Sequence, residues 1–114
     1  MNRAEVHLTN GDLYISDSKV ETPGSIQEFE IAGETIIALL DRDHHSVTEK
    51  NNVIGINPNG ETVWRIAEAP KEADPDWYSG IFPDGDDLWV TNLSGLKYRV
   101  DPETGESLEK RITK

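Results

Sequence analysis

Cysteine is absent from this sequence of 114 residues. The chain therefore has no disulfide framework, no thiolate nucleophile and no cysteine-ligated zinc site. This absence is typical of a reducing compartment, so we expect the protein in the cytoplasm. The first residues, Met1-Asn2-Arg3-Ala4-Glu5, also lack the apolar run that a secretory signal requires.

Long apolar segments are missing as well. The longest apolar run covers residues 36–40, far below the roughly 20 residues of a membrane-spanning helix. We therefore expect no membrane contact. Hydrophobic residues make up 35% of the chain, but they are interleaved with charged residues throughout. That interleaving favours a single folded domain over residues 1–114 rather than a disordered tail.

Positive charge is scarce. The chain has 11 Lys and Arg against 22 Asp and Glu, which gives a formal net charge of -11. A surface this negative repels phosphate groups, so we expect no direct binding of nucleic acid. It favours a basic protein partner or a cation. Solubility, including solubility in a salty cytoplasm, is the alternative explanation of the charge.

Helical periodicity is lacking, and short β-rich segments separated by glycine turns take its place. Asn10-Gly11 lies between two such segments, residues 6–8 and 13–15, and is a strong hairpin signal. Residues 35–40 form a continuous apolar run, which is typical of a strand buried on both faces. We predict an all-β fold of about ten short antiparallel strands, joined by hairpins as a meander. Residues 19–25, 41–50 and 68–76 carry no strand pattern and are predicted loops.

Two stretches, residues 33–66 and 85–112, follow the same plan. Each begins with glycine and acidic residues, enters an apolar strand, and reaches a second strand that ends in a turn. The turns are Asn57-Pro58-Asn59-Gly60 and Asp101-Pro102-Glu103-Thr104-Gly105, and their glycines lie 45 residues apart. This spacing is within the size range of a propeller blade. Asn10-Gly11 is a weaker earlier copy of the same turn.

These repeats resemble the blades of quinoprotein-like (PQQ-like) β-propellers. In those blades a strand ends in Asp, two residues, Thr-Gly, three residues and Trp. The second copy matches from Asp101 to Gly105 but has Glu109 where Trp belongs. The first copy has a turn one residue shorter, and Trp64 stands at the tryptophan position. The chain is also similar to small uncharacterised bacterial proteins.

The resemblance implies a fold unit and carries no activity with it. A quinone site is built by a complete propeller, so we expect no cofactor. A propeller needs at least four blades of four strands, and about ten strands are too few. We therefore expect the blade-like repeats to pack as a compact sandwich or open barrel, with two antiparallel sheets as the preferred arrangement. Assembly of several copies into a closed ring, as a homo-oligomer, is the alternative.

One loop contains residue types that bind metals. Asp41, Asp43, His44 and His45 combine carboxylates with imidazoles, which can hold a divalent cation or act as a general base. In an extended chain, however, neighbouring side chains point to opposite sides. We therefore expect a solvated loop, without metal and without catalytic residues. A small metal-dependent enzyme or binder that uses residues 41–46 is the alternative.

A second loop ends in aromatic residues. Asp74 and Asp76 precede Trp77 and Tyr78, and an exposed aromatic beside acidic residues can anchor a partner. From this loop and the net charge we expect a non-catalytic module that binds a basic protein, for example an inhibitor or immunity protein. A self-assembling propeller fragment with a structural role is the remaining alternative.

Overall fold

The computed structural model describes residues 5–41, 51–66, 77–85, 87–92 and 95–112, and of residues 110–112 it describes the backbone. The described chain contains eleven β-strands and no helix. The strands are β1 Val6–Thr9, β2 Asp12–Ile15, β3 Ser18–Lys19, β4 Ile26–Ala32, β5 Thr35–Leu40, β6 Val53–Ile56, β7 Thr62–Arg65, β8 Tyr78–Asp84, β9 Asp87–Asn92, β10 Leu96–Val100 and β11 Ser107–Ile112.

The strands form three antiparallel sheets in chain order. The N-terminal sheet contains β1–β3, the central sheet β4–β7 and the C-terminal sheet β8–β11. The prediction of an all-β fold made of short antiparallel strands is confirmed. The preferred arrangement of two packed sheets is wrong, because the first three strands form a sheet of their own.

The central sheet is covered on both faces, which explains why three sheets are needed. All six residues of β5 are buried, so apolar side chains leave this strand in both directions. One face packs against the N-terminal sheet and the other against the C-terminal sheet. Buried central-sheet residues in the cluster next to the N-terminal sheet are Ile26, Ile36, Ala38, Leu40, Ile54 and Ile56. Those in the other cluster are Ile37, Leu39, Val53, Trp64 and Ile66.

The two four-stranded sheets have the same strand register. In the central sheet Gly55 pairs with Ile37 on one side and with Trp64 on the other. In the C-terminal sheet Arg99 pairs with Trp89 and Glu109 in the equivalent way. The hairpin glycines Gly33 and Gly85 both have φ of 62°. The predicted repeats begin at Gly33 and Gly85. In the structure each repeated unit begins one strand earlier, with β4 in the central sheet and β8 in the C-terminal sheet.

The N-terminal hairpin forms as predicted, but its turn is not a copy of the Gly60 turn. Asn10 and Gly11 have positive φ values of 52° and 83°, as a two-residue type I′ turn requires. The Gly11 carbonyl accepts the Ile26 N–H at 2.8 Å, and Ile26 lies at the opposite end of the central sheet from Gly60. The prediction of an earlier copy at Asn10-Gly11 is therefore wrong.

The turn equivalent to that at Gly60 joins β2 to β3. Its Ser16 has φ of 53°, and a Cβ placed on Gly60 would meet Ile15 and Val20 within 4 Å. The sequence pattern missed β3 because Ser18–Lys19 is two residues long and has no apolar residue.

Candidate functional site

Five turns lie at one end of the three sheets, which we call the turn end. They join β2 to β3, β4 to β5, β6 to β7, β8 to β9 and β10 to β11. Antiparallel meanders place alternate turns at the same end, and the close approach of Gly60 to Ile15 brings the N-terminal sheet into line with the others.

Carboxylates are concentrated at the turn end. None of the described residues of these five turns is Lys or Arg. The acidic residues in or next to the turns are Asp17, Glu34, Glu61, Asp84, Asp87, Asp101, Glu103 and Glu106. This group was not predicted from the sequence, although most of its members lie close to the turn glycines. The signal that could have found it is the meander topology, which brings acids distant in sequence to one surface.

Two clefts open between the sheets near this end. One, of about 350 Å³, lies between the central and C-terminal sheets and is lined by Glu34, Gly85, Pro102 and Glu103 among others. The second, of about 480 Å³, lies between the N-terminal and central sheets, where Ser16 faces the turn around Gly60. The Glu34 and Glu103 carboxylates border the first cleft, whereas Lys19 and Glu21 line the second. The first cleft is therefore the one that suits a protruding cationic side chain.

Side-chain hydrogen bonds hold the two long turns in place. The Asn57 carboxamide oxygen accepts the N–H groups of Asn59 and Glu61, both at 3.0 Å. The Asp101 carboxylate likewise accepts the Glu103 N–H at 2.8 Å. Asn and Asp favour such turns because their side chains satisfy backbone donors locally. The acidic groups around the clefts are therefore carried by ordered backbone.

Trp64 connects the central sheet to the C-terminal sheet. Its indole Nε1–H donates to the Pro102 carbonyl at 2.8 Å. The ring lies against two glycines, since a Cβ on Gly105 would come within 2.6 Å of it and one on Gly55 closer still. Trp64 is 8% exposed. This contact sets the distance between β7 and the turn that carries Glu103.

Asn52 ties the same two sheets together at the opposite end. Its side-chain oxygen accepts the Tyr78 N–H at 2.9 Å, and its amide donates to the Tyr78 carbonyl at 3.0 Å and to the Leu40 carbonyl at 3.2 Å. The carboxamide is 1% exposed and is bonded through both of its polar atoms. It thereby acts on Tyr78 as a neighbouring strand would.

Glu109 is the residue of the C-terminal sheet that is equivalent to Trp64. Its neighbours are charged, whereas those of Trp64 are apolar. Arg99 lies 3.2 Å from Glu109 and 3.9 Å from Asp87. Lys97 lies over the Trp89 ring at 4.6 Å from its centroid. The outer face of the C-terminal sheet thus carries charged groups where the central sheet has Trp64 and Val53.

The fold changes the protonation of Glu28, a partly buried residue of β4. Partial burial raises the pKa of Glu28 above its ordinary value of 4.5, and the Glu30 carboxylate raises that pKa further. The folded chain therefore binds this proton more tightly than the unfolded chain does. The resulting stabilisation is complete below pH 4.5 and is lost as the pH rises through the higher folded-state pKa.

We expect Glu28→Gln to raise the free energy of unfolding at pH 7, because it removes a partly desolvated charge next to Glu30. The gain should disappear below about pH 4, where Glu28 is protonated in both states. Urea unfolding at the two pH values measures this difference. Glu34→Gln, at an exposed turn, is the matched control, and an equal gain in the control at pH 7 would contradict the assignment to Glu28.

The predicted metal-binding residues fall largely outside the described chain. Asp43, His44 and His45 lie outside the described residues. Asp41 is partly buried, and its N–H donates to the Ser25 carbonyl at 2.8 Å. Among the side chains that the structure describes, no three His, Asp or Glu groups lie together as a possible metal site.

Of the four predicted partner-binding residues, Trp77 and Tyr78 belong to the described chain. Asp74 and Asp76 also lie outside the described residues. Trp77 is partly buried and packs against the cluster between the N-terminal and central sheets. Tyr78 is 4% exposed, and its ring meets Tyr98 edge to face at 6.2 Å. The Tyr78 side chain is therefore part of the core and is not a surface contact residue.

Comparison with known proteins assigns a family to the chain. No curated protein matches it. Within the described ranges, no helix has the length and apolar character needed to span a membrane. One family model matches residues 3–112, and its description is "Domain of unknown function (DUF7957)". The match covers nearly the whole sequence, and the protein therefore belongs to the DUF7957 family of domains of unknown function.

Proposed function

We propose that this protein is a non-catalytic binding module whose acidic turn end recognises a basic protein. The observation that carries the proposal is the concentration of carboxylates at the turn end, without Lys or Arg among the described turn residues. The net charge of -11 extends the attraction over the whole molecule. Complementary charge accelerates encounter and selects against acidic competitors.

The fixed conformation of the turns supports binding with little rearrangement. Asn57 and Asp101 hold their turns through side-chain hydrogen bonds, and Trp64 holds the adjacent sheets together. A surface that is already ordered loses little conformational entropy on association. A basic toxin or nuclease that this module inhibits is the kind of partner that such a surface fits.

Assembly into a ring of blade-like sheets is a second candidate, and the two four-stranded meanders are the observation in its favour. The outer face of the C-terminal sheet weighs against it. There Lys97, Arg99 and Glu109 stand at the positions of Val53, Gly55 and Trp64 in the central sheet. Charged side chains at these positions are typical of a terminal repeat that ends a stack, although Phe82, on the same face, is 51% exposed. We therefore favour the binding module.

The test is capture of partners by wild-type protein and by a variant with two charges removed from the turn end. Glu34 and Glu103 are exposed and line the same cleft, so Glu34→Gln/Glu103→Gln removes charge without touching the core. We expect this variant to retain less of the basic protein that the wild type captures from a lysate of the source organism. The remaining complex should dissociate at lower salt.

The matched control is Asp12→Asn/Glu28→Gln, which removes two charges away from the turn end. It should capture the basic partner nearly as well as the wild type. Equal losses in the two variants would mean that net charge, and not the turn end, determines binding. Captured partners without a basic surface would contradict the proposal outright.

A further inference from the structure

The N-terminal sheet has one strand fewer than the other two. Its β1, β2 and β3 correspond to β5, β6 and β7 of the central sheet. The residue after β3, Val20, donates its N–H to the Leu13 carbonyl of β2. In the same way the residue after β7, Ile66, donates its N–H to the Val53 carbonyl of β6. The contact of β1 with β4 likewise matches that of β5 with β8. Among the described residues, the N-terminal sheet therefore has no counterpart of β4 and β8.

The free edge of β1 has hydrogen-bonding groups that point away from β2. The Ser16 N–H donates to the Glu5 carbonyl, so Glu5 and Ser16 form a hydrogen-bonded pair. Bonded pairs alternate along an antiparallel ladder, and the N–H and C=O groups of Val6 and Leu8 therefore face outwards. Within the described part of the chain no strand pairs with them.

A partly exposed apolar surface lies next to this edge. In the C-terminal sheet Ile81 is 2% exposed, because β8 packs against β4 and β5. Its counterpart in the central sheet is Phe29, since Ile81 pairs with Val90 and Phe29 with Ala38. Phe29 and its neighbour Ile31 are only partly buried against the N-terminal cluster. A strand beside β1 would cover both.

We propose that an extended segment of a basic partner protein adds to the N-terminal sheet beside β1. The segment would bond to Val6 and Leu8 and place alternate apolar side chains against Phe29 and Ile31. This proposal rests on the proposed function for the sign of the partner's charge. A second copy of this chain is a poorer occupant, because two molecules with a net charge of -11 repel each other.

The probe is a seven-residue peptide in which Lys and Val alternate, compared with a peptide of the same composition in which all Lys precede all Val. Amide hydrogen exchange followed by nuclear magnetic resonance is the readout. We expect the alternating peptide to slow exchange of the Val6 and Leu8 amides, on the order of tenfold at saturation. The block peptide, whose apolar side chains cannot share one face, should protect them less.

Leu8→Pro and Leu8→Ala form a matched pair of variants. Both shorten the side chain that packs on the cluster, but proline also removes the outward N–H, which β2 does not use. We expect Leu8→Ala to bind the alternating peptide weakly and Leu8→Pro to lose binding. Equal affinity of the two variants, or peptide binding without protection of Val6 and Leu8, would overturn the proposal.

Two further results separate this proposal from the proposed function. If the chain alone sediments as a dimer and Leu8→Pro makes it monomeric, a second copy occupies the edge and the proposal is wrong. If a basic partner is captured through Glu34 and Glu103 but is retained equally by Leu8→Pro and Leu8→Ala, the acidic turn end binds it and strand addition does not.

Discussion

Trp64→Ala should lower the free energy of unfolding by about 3–5 kcal/mol, the usual cost of removing a large buried aromatic side chain. The indole fills the space between Gly55 and Gly105, and its N–H bonds to the Pro102 carbonyl. The variant would leave a cavity between two sheets and a carbonyl without that donor. Urea unfolding followed by circular dichroism measures the change.

The neighbouring residue provides the control. Val63 is 49% exposed, so Val63→Ala should change the free energy of unfolding by less than about 0.5 kcal/mol. Trp64→Phe keeps an aromatic ring and loses the indole N–H, and it should fall between the two. A Trp64→Ala protein as stable as Val63→Ala would show that the contact between the sheets contributes nothing.

Two glycine variants test the contact between the Trp64 ring and Gly105. Gly85 and Gly105 both have positive φ, 62° and 76°. A Cβ on Gly85 meets nothing within 4 Å, whereas one on Gly105 meets the Trp64 ring at 2.6 Å. Gly85→Ala should cost about 1 kcal/mol of backbone strain. Gly105→Ala should cost clearly more, and equal costs would mean that the ring does not lie against Gly105.

The second large effect is expected at Asn52. Asn52→Ala should lower the free energy of unfolding by about 2–4 kcal/mol, because it removes the three buried hydrogen bonds that the Asn52 carboxamide makes with Tyr78 and Leu40. Hydrogen exchange should show the loss first at Tyr78, where β8 begins. Thermal or urea unfolding measures the total.

Asn52→Asp distinguishes hydrogen bonding from packing. The carboxylate keeps the shape of the side chain and can still accept the Tyr78 N–H, but an oxygen would then face the carbonyls of Tyr78 and Leu40. We expect strong destabilisation at pH 7 and partial recovery at low pH, where the protonated acid can donate one bond. Asn59→Ala, at an exposed turn position, is the control and should be nearly neutral.

Most strands were predictable because their signals are local. The Asn10-Gly11 turn needs two residues that tolerate positive φ, and both values are positive. The continuous apolar run over β5 predicted burial on both faces, and every residue of that strand is buried. The glycine turns at Gly60 and Gly105 also occupy positive φ. Each of these features depends on a few neighbouring residues and not on the remainder of the chain.

The candidate site was less predictable because it is assembled from separate turns. Glu34 and Glu103 lie 69 residues apart in the sequence, yet both line one cleft. The local pattern predicted a site in one short segment instead, formed by Asp74, Asp76, Trp77 and Tyr78. The aromatic side chains have more to gain from burial than from exposure, and Tyr78 is in the core.

Residue types and their spacing over a few positions were enough to predict the net charge, the glycine turns and most of the strands, whereas the two-residue strand β3 has no such local signal. Three other features became apparent from the folded chain alone: the division into three sheets, the five turns at one end, and the hydrogen bond from the Trp64 indole to the Pro102 carbonyl. The pattern of apolar residues in a strand indicates which of its faces is buried, but it does not indicate which other sheet covers that face. The partner of each face depends on contacts between residues far apart in the chain, which form only when the whole core packs.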